Sequence, residues 1–200
     1  MAEFLLPNNS KIKKGKHHKA PDGAGKTRRF KVYRYDPDSG DNPRTDTFEV
    51  DTDDCGTMVL DALIKIREDL DGTLSMRCSC RSSICGSCAM RVNGHACLAC
   101  KTQARAVMDK ENTIIVEPAG VMPVIKDLVV DFDLFWKKIE EVEPYLQPEG
   151  PEPDAEYAAS NESMLHLSGV TACIMCGSCV SDCTVMEVDP TFLGPAALAK

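Results

Sequence analysis

The stretch Cys80-Arg-Ser-Ser-Ile-Cys85-Gly-Ser-Cys88 decides how the first half of this chain is read, and Cys100 follows it after eleven intervening residues. This spacing, C-x4-C-x2-C with a distant fourth cysteine, is typical of plant-type 2Fe–2S sites. Three thiolates on one short loop must surround a compact anionic core, so the backbone amides have to turn inward and the intervening residues must be small. Serine and glycine supply those small residues. The sequence therefore predicts a 2Fe–2S cluster held by Cys80, Cys85, Cys88 and Cys100.

The segments around this loop predict a small mixed sheet with one helix packed across it. Alternating β-forming residues predict two strands joined as a hairpin by a turn-rich segment, and apolar residues at helical spacing predict a helix closed by Asp71-Gly72. Two further strands follow the loop, the first ending at the Asn93-Gly94 turn. The predicted strands cover residues 30–35, 46–50, 89–92 and 113–116, and the predicted helix covers 58–66.

A second cysteine motif, Cys173-Ile-Met-Cys176-Gly-Ser-Cys179-Val-Ser-Asp-Cys183, has the C-x2-C-x2-C-x3-C spacing of bacterial ferredoxins. In that pattern the first three cysteines hold one cubane cluster and the fourth serves a neighbouring cluster. A zinc knuckle is the alternative reading. Zinc sites usually draw two pairs of ligands from separated segments, whereas here the C-x2-C units overlap, and this favours iron–sulfur chemistry.

The region that carries this second motif is predicted to be helical. Pro118 and Pro123 mark its start, and residues 126–142 form an amphipathic pattern that ends at Pro144 and includes Trp136, which we expect in the core. Further helices are predicted over 162–173 and from Pro195 onward.

Composition and charge exclude several classes of function. The 200 residues include eleven cysteines, and no apolar run resembles a secretory signal or reaches the roughly 18 residues of a membrane span, so we read the cysteines as metal ligands rather than disulfides. Residues 1–29 carry eight Lys and Arg against two acidic residues, a balance of +6 that leaves −14 of the total charge of −8 to the remainder. Such an acidic body argues against nucleic-acid binding.

The basic segment 1–29 shows little apolar periodicity and is predicted to be a disordered, solvated tail. Attraction to an anionic membrane surface or to an acidic partner is the alternative. A mitochondrial presequence fits poorly, because the segment prefers Lys to Arg and is not amphipathic.

Residues left over from the two motifs receive no role in the chemistry. Three cysteines are interpreted as spare thiols, and the four histidines are expected at the surface. These are Cys55, Cys78 and Cys97, with His17, His18, His95 and His166. The second motif is short of ligands for the clusters it predicts, so we expect at least three more cysteines in a longer C-terminal segment beyond Lys200.

The combination of motifs resembles the iron–sulfur subunit of succinate dehydrogenase and fumarate reductase. The resemblance runs from about residue 30 to the end. It is carried by segments 59–63, 84–90, 93–94, 98–100, 126–131, 144–146, 173–183 and 192–196.

The resemblance implies an α+β protein. Its parts are a basic tail (1–29), a β-grasp 2Fe–2S ferredoxin-like domain (30–120), and an all-α, bacterial-ferredoxin-like domain (121–200). It assigns 2Fe–2S to the first cysteine motif, 4Fe–4S to Cys173, Cys176 and Cys179, and 3Fe–4S to Cys183, the last two clusters being incompletely liganded by these residues.

The resemblance also implies partners and a place in the cell. An electron-transfer subunit of this kind lies between an FAD-containing dehydrogenase subunit and membrane-anchor subunits with quinone, and performs no catalysis itself. The expected location is peripheral, on the cytoplasmic face of the inner (plasma) membrane.

Three departures from the family pattern and three rival functions remain. Ser82-Ser83 stands where the family often has Glu-Gly, Thr184 where it commonly has Pro, and Val185–Val188 where it often places Trp near quinone. The rivals are a fumarate reductase subunit, the iron–sulfur subunit of another flavin dehydrogenase such as one oxidising a hydroxy acid, and a zinc-stabilised interaction module.

Overall fold

The computed structural model describes residues 12–21, 23–145, 147–148 and 150–200, with a strand-rich first part and a mostly helical second part. The strands are β1 (Lys13–His18), β2 (Thr27–Arg34), β3 (Arg44–Asp51), β4 (Ala89–Val92), β5 (His95–Leu98), β6 (Thr113–Glu117), β7 (Val124–Lys126) and β8 (Val129–Val130). The α-helices are α1 (Val59–Lys65), α2 (Ala104–Val107), α3 (Asp133–Glu140), α4 (Asn161–Thr171), α5 (Ser178–Ser181), α6 (Thr184–Val188) and α7 (Pro195–Leu198). A 3₁₀ turn covers Pro37–Ser39, and a π-helical turn, Ile66–Leu70, extends α1.

A mixed sheet in the order β1-β3-β2-β6-β4-β5 forms the first part of the chain. The β2–β3 pair is antiparallel, which confirms the predicted hairpin, and β6 lies parallel to β2 on its other side. One face of the sheet is apolar because Phe30 and Val32 alternate with outward-pointing residues along β2. Together with Phe48 of β3 and Ile114 of β6 they are completely buried.

Helix α1 packs in the same core as this face, as the sequence predicts. Its Val59, Leu60 and Leu63 are buried with Phe30 and Phe48 in one hydrophobic cluster. The helix start is fixed by Asp61, whose carboxylate accepts a hydrogen bond from the Met58 amide at 3.0 Å. Sheet and helix thus form a rigid platform from which the cysteine loop projects.

The basic segment is more ordered than the sequence predicts. Residues Lys13–His18 form β1, an edge strand parallel to β3, while positions 1–11 and 22 of the predicted tail lie outside the described residues. Asp46 of β3 accepts a hydrogen bond from the Lys16 amide at 2.7 Å, and the ring of His18 stacks on Phe48 at 4.5 Å. Composition alone missed this strand because its pairing with β3 uses backbone groups, which the residue types of a basic segment do not reveal.

The predicted helix over residues 126–142 is wrong in its first half. Val124–Lys126 and Val129–Val130 form a two-stranded hairpin, so the second part of the chain is not entirely helical, and α3 begins only at Asp133. The turn between the strands places Asp127 at φ +47°, a left-handed conformation incompatible with a continuous helix. Trp136 is also misplaced by the prediction, because 44% of its surface is exposed.

Asp127 fastens this hairpin to the sheet through a buried ion pair. Its Oδ1 accepts hydrogen bonds from Arg34 Nε and the Tyr35 amide, both at 3.0 Å, and its Oδ2 accepts one from the Ser75 amide at 2.9 Å. Burial opposes the charge on Arg34, but hydrogen bonds to Asp71 and Asp127 outweigh it and raise the pKa of the guanidinium. Both oxygens of the Asp127 carboxylate therefore have hydrogen-bond partners, as a buried charge requires.

We expect Asp127→Ala to destabilise the protein by about 3 kcal/mol or more, because Arg34 and two backbone amides lose their buried partner. For a chain of this size that loss lowers the Tm by about 6 to 12 °C, measured by thermal unfolding of the cluster-loaded protein. The exposed Asp154→Ala is the matched control, and an equal Tm for both variants would contradict the anchoring role.

Candidate iron–sulfur sites

The first cysteine loop leads into strand β4, and its fourth cysteine lies shortly after β5. Cys88 immediately precedes β4 and Cys100 follows β5, and the two are connected by a hydrogen bond from the Ala99 amide to the Cys88 carbonyl at 3.1 Å. Both of these cysteines are buried, Cys80 is half-buried and Cys85 is exposed. The loop therefore has one side anchored in the protein and one side open to the surface.

Backbone amides turn inward around the first sulfur of this loop, as its spacing predicts. The amides of Ser82, Ile84 and Cys85 all donate to Cys80 Sγ, at 3.3, 3.4 and 3.4 Å. The turn requires left-handed backbone at Arg81, Ser83 and Gly86, with φ of 56°, 60° and 72°. Glycine adopts a left-handed backbone most easily. Ser83 adopts it here at the cost of some backbone strain, so the loop accommodates the serine that departs from the family pattern.

Serine hydroxyls add hydrogen bonds to two further sulfurs. Ser87 Oγ donates to Cys85 Sγ at 3.1 Å, and Ser83 Oγ lies 3.7 Å from Cys100 Sγ. The Ser87 hydroxyl is the main reason that the pKa of the Cys85 thiol falls to about 6, with the neighbouring Cys80 contributing further. A lowered pKa favours the thiolate, which is the form that binds metal.

The four sulfurs of the first motif fall into two pairs. Cys80 lies beside Cys85 and helps to lower the pKa of that thiol, and Cys100 lies beside Cys88, with which it shares a hydrogen bond. Burial raises the pKa of Cys88 to about 11, whereas hydrogen bonds from Cys88 and Ser83 overcome burial and lower the pKa of Cys100. Two thiolates on each of two irons is the arrangement that a 2Fe–2S cluster needs, so the donor set fits that group.

The same spacing of sulfurs argues against a single zinc ion. A tetrahedral zinc site with thiolate ligands at about 2.3 Å brings its sulfurs within about 3.8 Å of one another. Within the part of the chain that the structure describes, no three cysteine sulfurs lie within 4.8 Å of one another. Spread thiolates favour a cluster of several irons over one tetrahedral ion.

The second cysteine motif forms a tight turn that leads into α5. Met175 and Gly177 both have left-handed backbone, with φ of 57° and 74°, and Cys176 Sγ donates to Ser178 Oγ at 3.4 Å. Loss of solvent around its sulfur raises the pKa of Cys179, and the nearby thiols of Cys176 and Cys173 raise it further. Cys173 and Cys176 therefore lie close enough to Cys179 to influence its thiol, and the assignment of these three cysteines to a cubane cluster stays a prediction.

Cys183 is placed differently from the other three cysteines of its motif. It precedes α6 and packs against the helical core formed by Phe135, Ile139 and Met186. This position agrees with the prediction that Cys183 serves another cluster than Cys173, Cys176 and Cys179, although that assignment stays a prediction.

The two cysteine loops touch each other. A Cβ atom built on Gly86 would lie 2.8 Å from Cys176 Cβ and 2.9 Å from Cys176 Cα, so the first loop approaches the second at backbone distance. Asp182 strengthens the junction by accepting a hydrogen bond from the Ala96 amide at 2.8 Å and pairing with Arg91 at 3.5 Å. The spacing of the cysteines gave no signal for this contact, and neither Asp182 nor the Ser87 hydroxyl was singled out from the sequence.

The remaining cysteines and histidines singled out from the sequence lie against the main core or at the surface. Cys55, Cys78 and Cys97 are half-buried and pack against the main core, in keeping with spare thiols. His17, His95 and His166 are exposed, and His18 is half-buried on Phe48.

Comparisons with known proteins agree with this geometry. Residues 29–137 match the family of 2Fe–2S iron–sulfur cluster binding domains. A succinate dehydrogenase iron–sulfur subunit from Paracoccus denitrificans is 46% identical over 199 residues, which cover 99% of this chain and 76% of that protein. This chain belongs to the family of succinate dehydrogenase iron–sulfur subunits.

The fold of a solved member supports the same family. The Sdh1 complex of Mycobacterium smegmatis in the apo form contains a chain that superposes with a TM-score of 0.71 and 27% identity, covering 85% of this chain and 70% of that one. The matched family model supports a 2Fe–2S cluster within residues 29–137, the range that contains the first cysteine loop. None of the helices that the structure describes has both the length and the apolar character needed to cross a bilayer.

We expect Cys85→Ser to weaken or shift the low-temperature EPR signal of the reduced 2Fe–2S centre, because one thiolate of the donor set is replaced by a hydroxyl. Cys97→Ser changes a half-buried cysteine outside the set and should leave the signal unchanged. An EPR spectrum indifferent to Cys85→Ser, or no bound iron after anaerobic reconstitution, would overturn the assignment.

We also expect Ser87→Ala to lower the reduction potential of the 2Fe–2S centre. The Ser87 hydroxyl donates a hydrogen bond to Cys85 Sγ, and such bonds stabilise the more negative, reduced cluster. Ser82→Ala is the matched control, because the Ser82 hydroxyl donates to the Cys80 carbonyl at 3.1 Å rather than to sulfur. A redox titration followed by EPR compares the two variants, and equal potentials would refute the expectation.

Proposed function

We propose that this electron-transfer subunit passes single electrons from the FAD of a dehydrogenase subunit to quinone at membrane-anchor subunits, during succinate oxidation. The 2Fe–2S cluster is held by Cys80, Cys85, Cys88 and Cys100. The 4Fe–4S cluster is held in part by Cys173, Cys176 and Cys179, and the 3Fe–4S cluster in part by Cys183. Bound iron–sulfur clusters supply the one-electron chemistry. The single observation that carries the proposal is the contact between the two cysteine loops at Gly86 and Cys176.

The chain's own residues hold sulfur ligands and set their surroundings. Inward-facing amides and serine hydroxyls stabilise thiolates, while Cys88 and Cys100 are kept from solvent. The side chains that these two loops have in common are thiol ligands, so we assign the oxidation of succinate to the flavin-bearing partner. The protein's contribution is to position each cluster and to tune its potential through burial and hydrogen bonds.

The exposure of each loop supports an order of transfer through the chain. The first loop presents Cys85 and Ile84 at the surface, with Ile84 69% exposed, which suits contact with the flavin-bearing subunit. Beyond Cys183, the side chains of Val185 and Val188 are exposed and apolar, which suits contact with a membrane anchor. Electrons would then enter at the first loop, cross to the second and leave towards quinone.

Domain organisation and location follow from the same proposal. We assign a β-grasp 2Fe–2S domain to residues 30–120 and a bacterial-ferredoxin-like domain to residues 121–200, the latter helical apart from the β7–β8 hairpin. A peripheral position on the cytoplasmic face of the inner membrane places the second domain against the anchor. Completing the 4Fe–4S and 3Fe–4S clusters requires ligands in addition to the four cysteines of the second motif.

A fumarate reductase subunit remains the second candidate, because the same architecture serves electron flow in the opposite direction. The departures at Thr184 and Val185–Val188 support a quinone site or anchor type that differs from the usual family pattern. The potential of the 2Fe–2S centre relative to the succinate/fumarate couple distinguishes the two directions.

The test uses the whole complex, purified anaerobically from its native membranes. We expect succinate to bleach the visible absorption of the clusters and to produce the EPR signal of the reduced 2Fe–2S centre, since electrons reach this chain from the flavin. Malonate, a competitive analogue of succinate, should abolish the bleaching, and dithionite should restore it. Reduction by a hydroxy acid but not by succinate would show that the chain serves another dehydrogenase. A colourless sample that contains zinc would show that the chain is not an electron carrier.

A further inference from the structure

We infer that Gly86 is a positioning residue that sets the separation of the two clusters, by allowing the second cysteine loop to lie against the first at backbone distance. The inference rests on the proposed function and extends it to a residue that binds neither iron nor a partner. Electron transfer between the loops then depends on the absence of a side chain at Gly86, and not only on the backbone flexibility of glycine.

The contact at Gly86 leaves no space for a methyl group. A Cβ built there would lie 2.8 Å from Cys176 Cβ, 2.9 Å from Cys176 Cα and 3.3 Å from the Ile174 carbonyl oxygen. Carbon atoms pack at about 3.5 to 4.0 Å, so the loops would have to separate by about half an ångström or more. Two of the three obstructing atoms belong to the main chain, and rotation of a side chain cannot relieve the overlap.

A second glycine lies at the other end of the same junction. A Cβ on Gly120 would lie 2.6 Å from the Ser181 carbonyl oxygen, and the Gly120 amide donates to Ser181 Oγ at 2.8 Å. The segment that carries Cys176 and Cys179 is therefore held against the first domain at two glycines, with the Asp182 contacts between them. Gly86 and Gly120 thus each allow a close backbone approach to the segment that carries the second motif.

The chain also provides a control for backbone strain. Gly86 has φ +72°, so any larger residue there is strained as well as crowded. Gly94 has φ +81°, but a Cβ built on it meets nothing within 4 Å. Gly94→Ala therefore imposes the same kind of strain with no steric overlap, while Gly120→Ala imposes overlap without a left-handed backbone.

The experiment compares Gly86→Ala, Gly120→Ala and Gly94→Ala in the purified complex, each with its iron content and individual cluster EPR signals measured first. With both clusters present, we expect the reduced 2Fe–2S signal of Gly86→Ala to saturate at lower microwave power than in the unmodified complex. The reason is that magnetic relaxation by the neighbouring cluster weakens with distance. We expect electron transfer between the clusters, followed after rapid reduction, to slow on the order of two- to tenfold, because such rates fall steeply with small displacements.

The outcomes separate this inference from the proposed function. Gly120→Ala should change power saturation in the same direction, and Gly94→Ala should match the unmodified complex. Unchanged saturation in Gly86→Ala and Gly120→Ala, or an equal change in Gly94→Ala, overturns the inference while succinate still reduces the clusters. If Gly86→Ala loses its 2Fe–2S cluster, the power saturation of Gly120→Ala tests the inference in its place. Loss of a cluster from Gly120→Ala as well would assign the glycines to assembly and also overturn the inference. Failure of succinate to reduce the unmodified complex instead removes the proposed function.

Discussion

Two loops that carry cysteine thiols have to face one another at van der Waals distance, and much of this structure follows from that constraint. Neither loop could be held so closely by its own short turn. The first depends on β4 and β5 to fix Cys88 and Cys100, and the second depends on α5 to place Asp182 beside the Ala96 amide of β5. The sheet and the helices are thus supports for a junction in which a few atoms meet.

Two arginines fix the β7–β8 hairpin and the nearby Phe132 against the sheet-bearing part of the chain. Arg34 reaches from β2 to Asp127 in the turn of the hairpin, and Arg77 donates to the Val130 carbonyl at 2.8 Å while lying over the Phe132 ring at 5.7 Å. An arginine has several donors in a fixed plane, so it can hold hairpin, turn and strand in one geometry. Such contacts cost desolvation, and their value here is in fixing orientation as well as in adding stability.

Local patterns predicted the parts of this chain whose structure is decided locally. The β2–β3 hairpin, helix α1 and the inward-turned amides of the first cysteine loop were correct, because turn residues and apolar periodicity act over a few neighbours. The assignment of individual cysteines to clusters stays a prediction. The first half of the predicted helix at 126–142 failed because Asp127 is drawn into a left-handed turn by Arg34, more than ninety positions away. Trp136 failed for a related reason: apolar periodicity marks a face of a helix but does not show which part of that face another element covers. The contact between Gly86 and Cys176 joins segments about as far apart, and sequence spacing carries no information about such an approach.

The inward-facing amides of the first loop have a consequence for how this family can diverge. Three hydrogen bonds to Cys80 Sγ come from the main chain, so replacing a side chain does not remove them as long as the backbone keeps its path. The side chains at the outward-facing positions of the loop are therefore not needed for the hydrogen bonds to sulfur. Ile84, whose amide contacts sulfur while its side chain is directed to the surface, is free to change with whatever the subunit touches, so recognition of partners and redox chemistry can evolve separately at one residue.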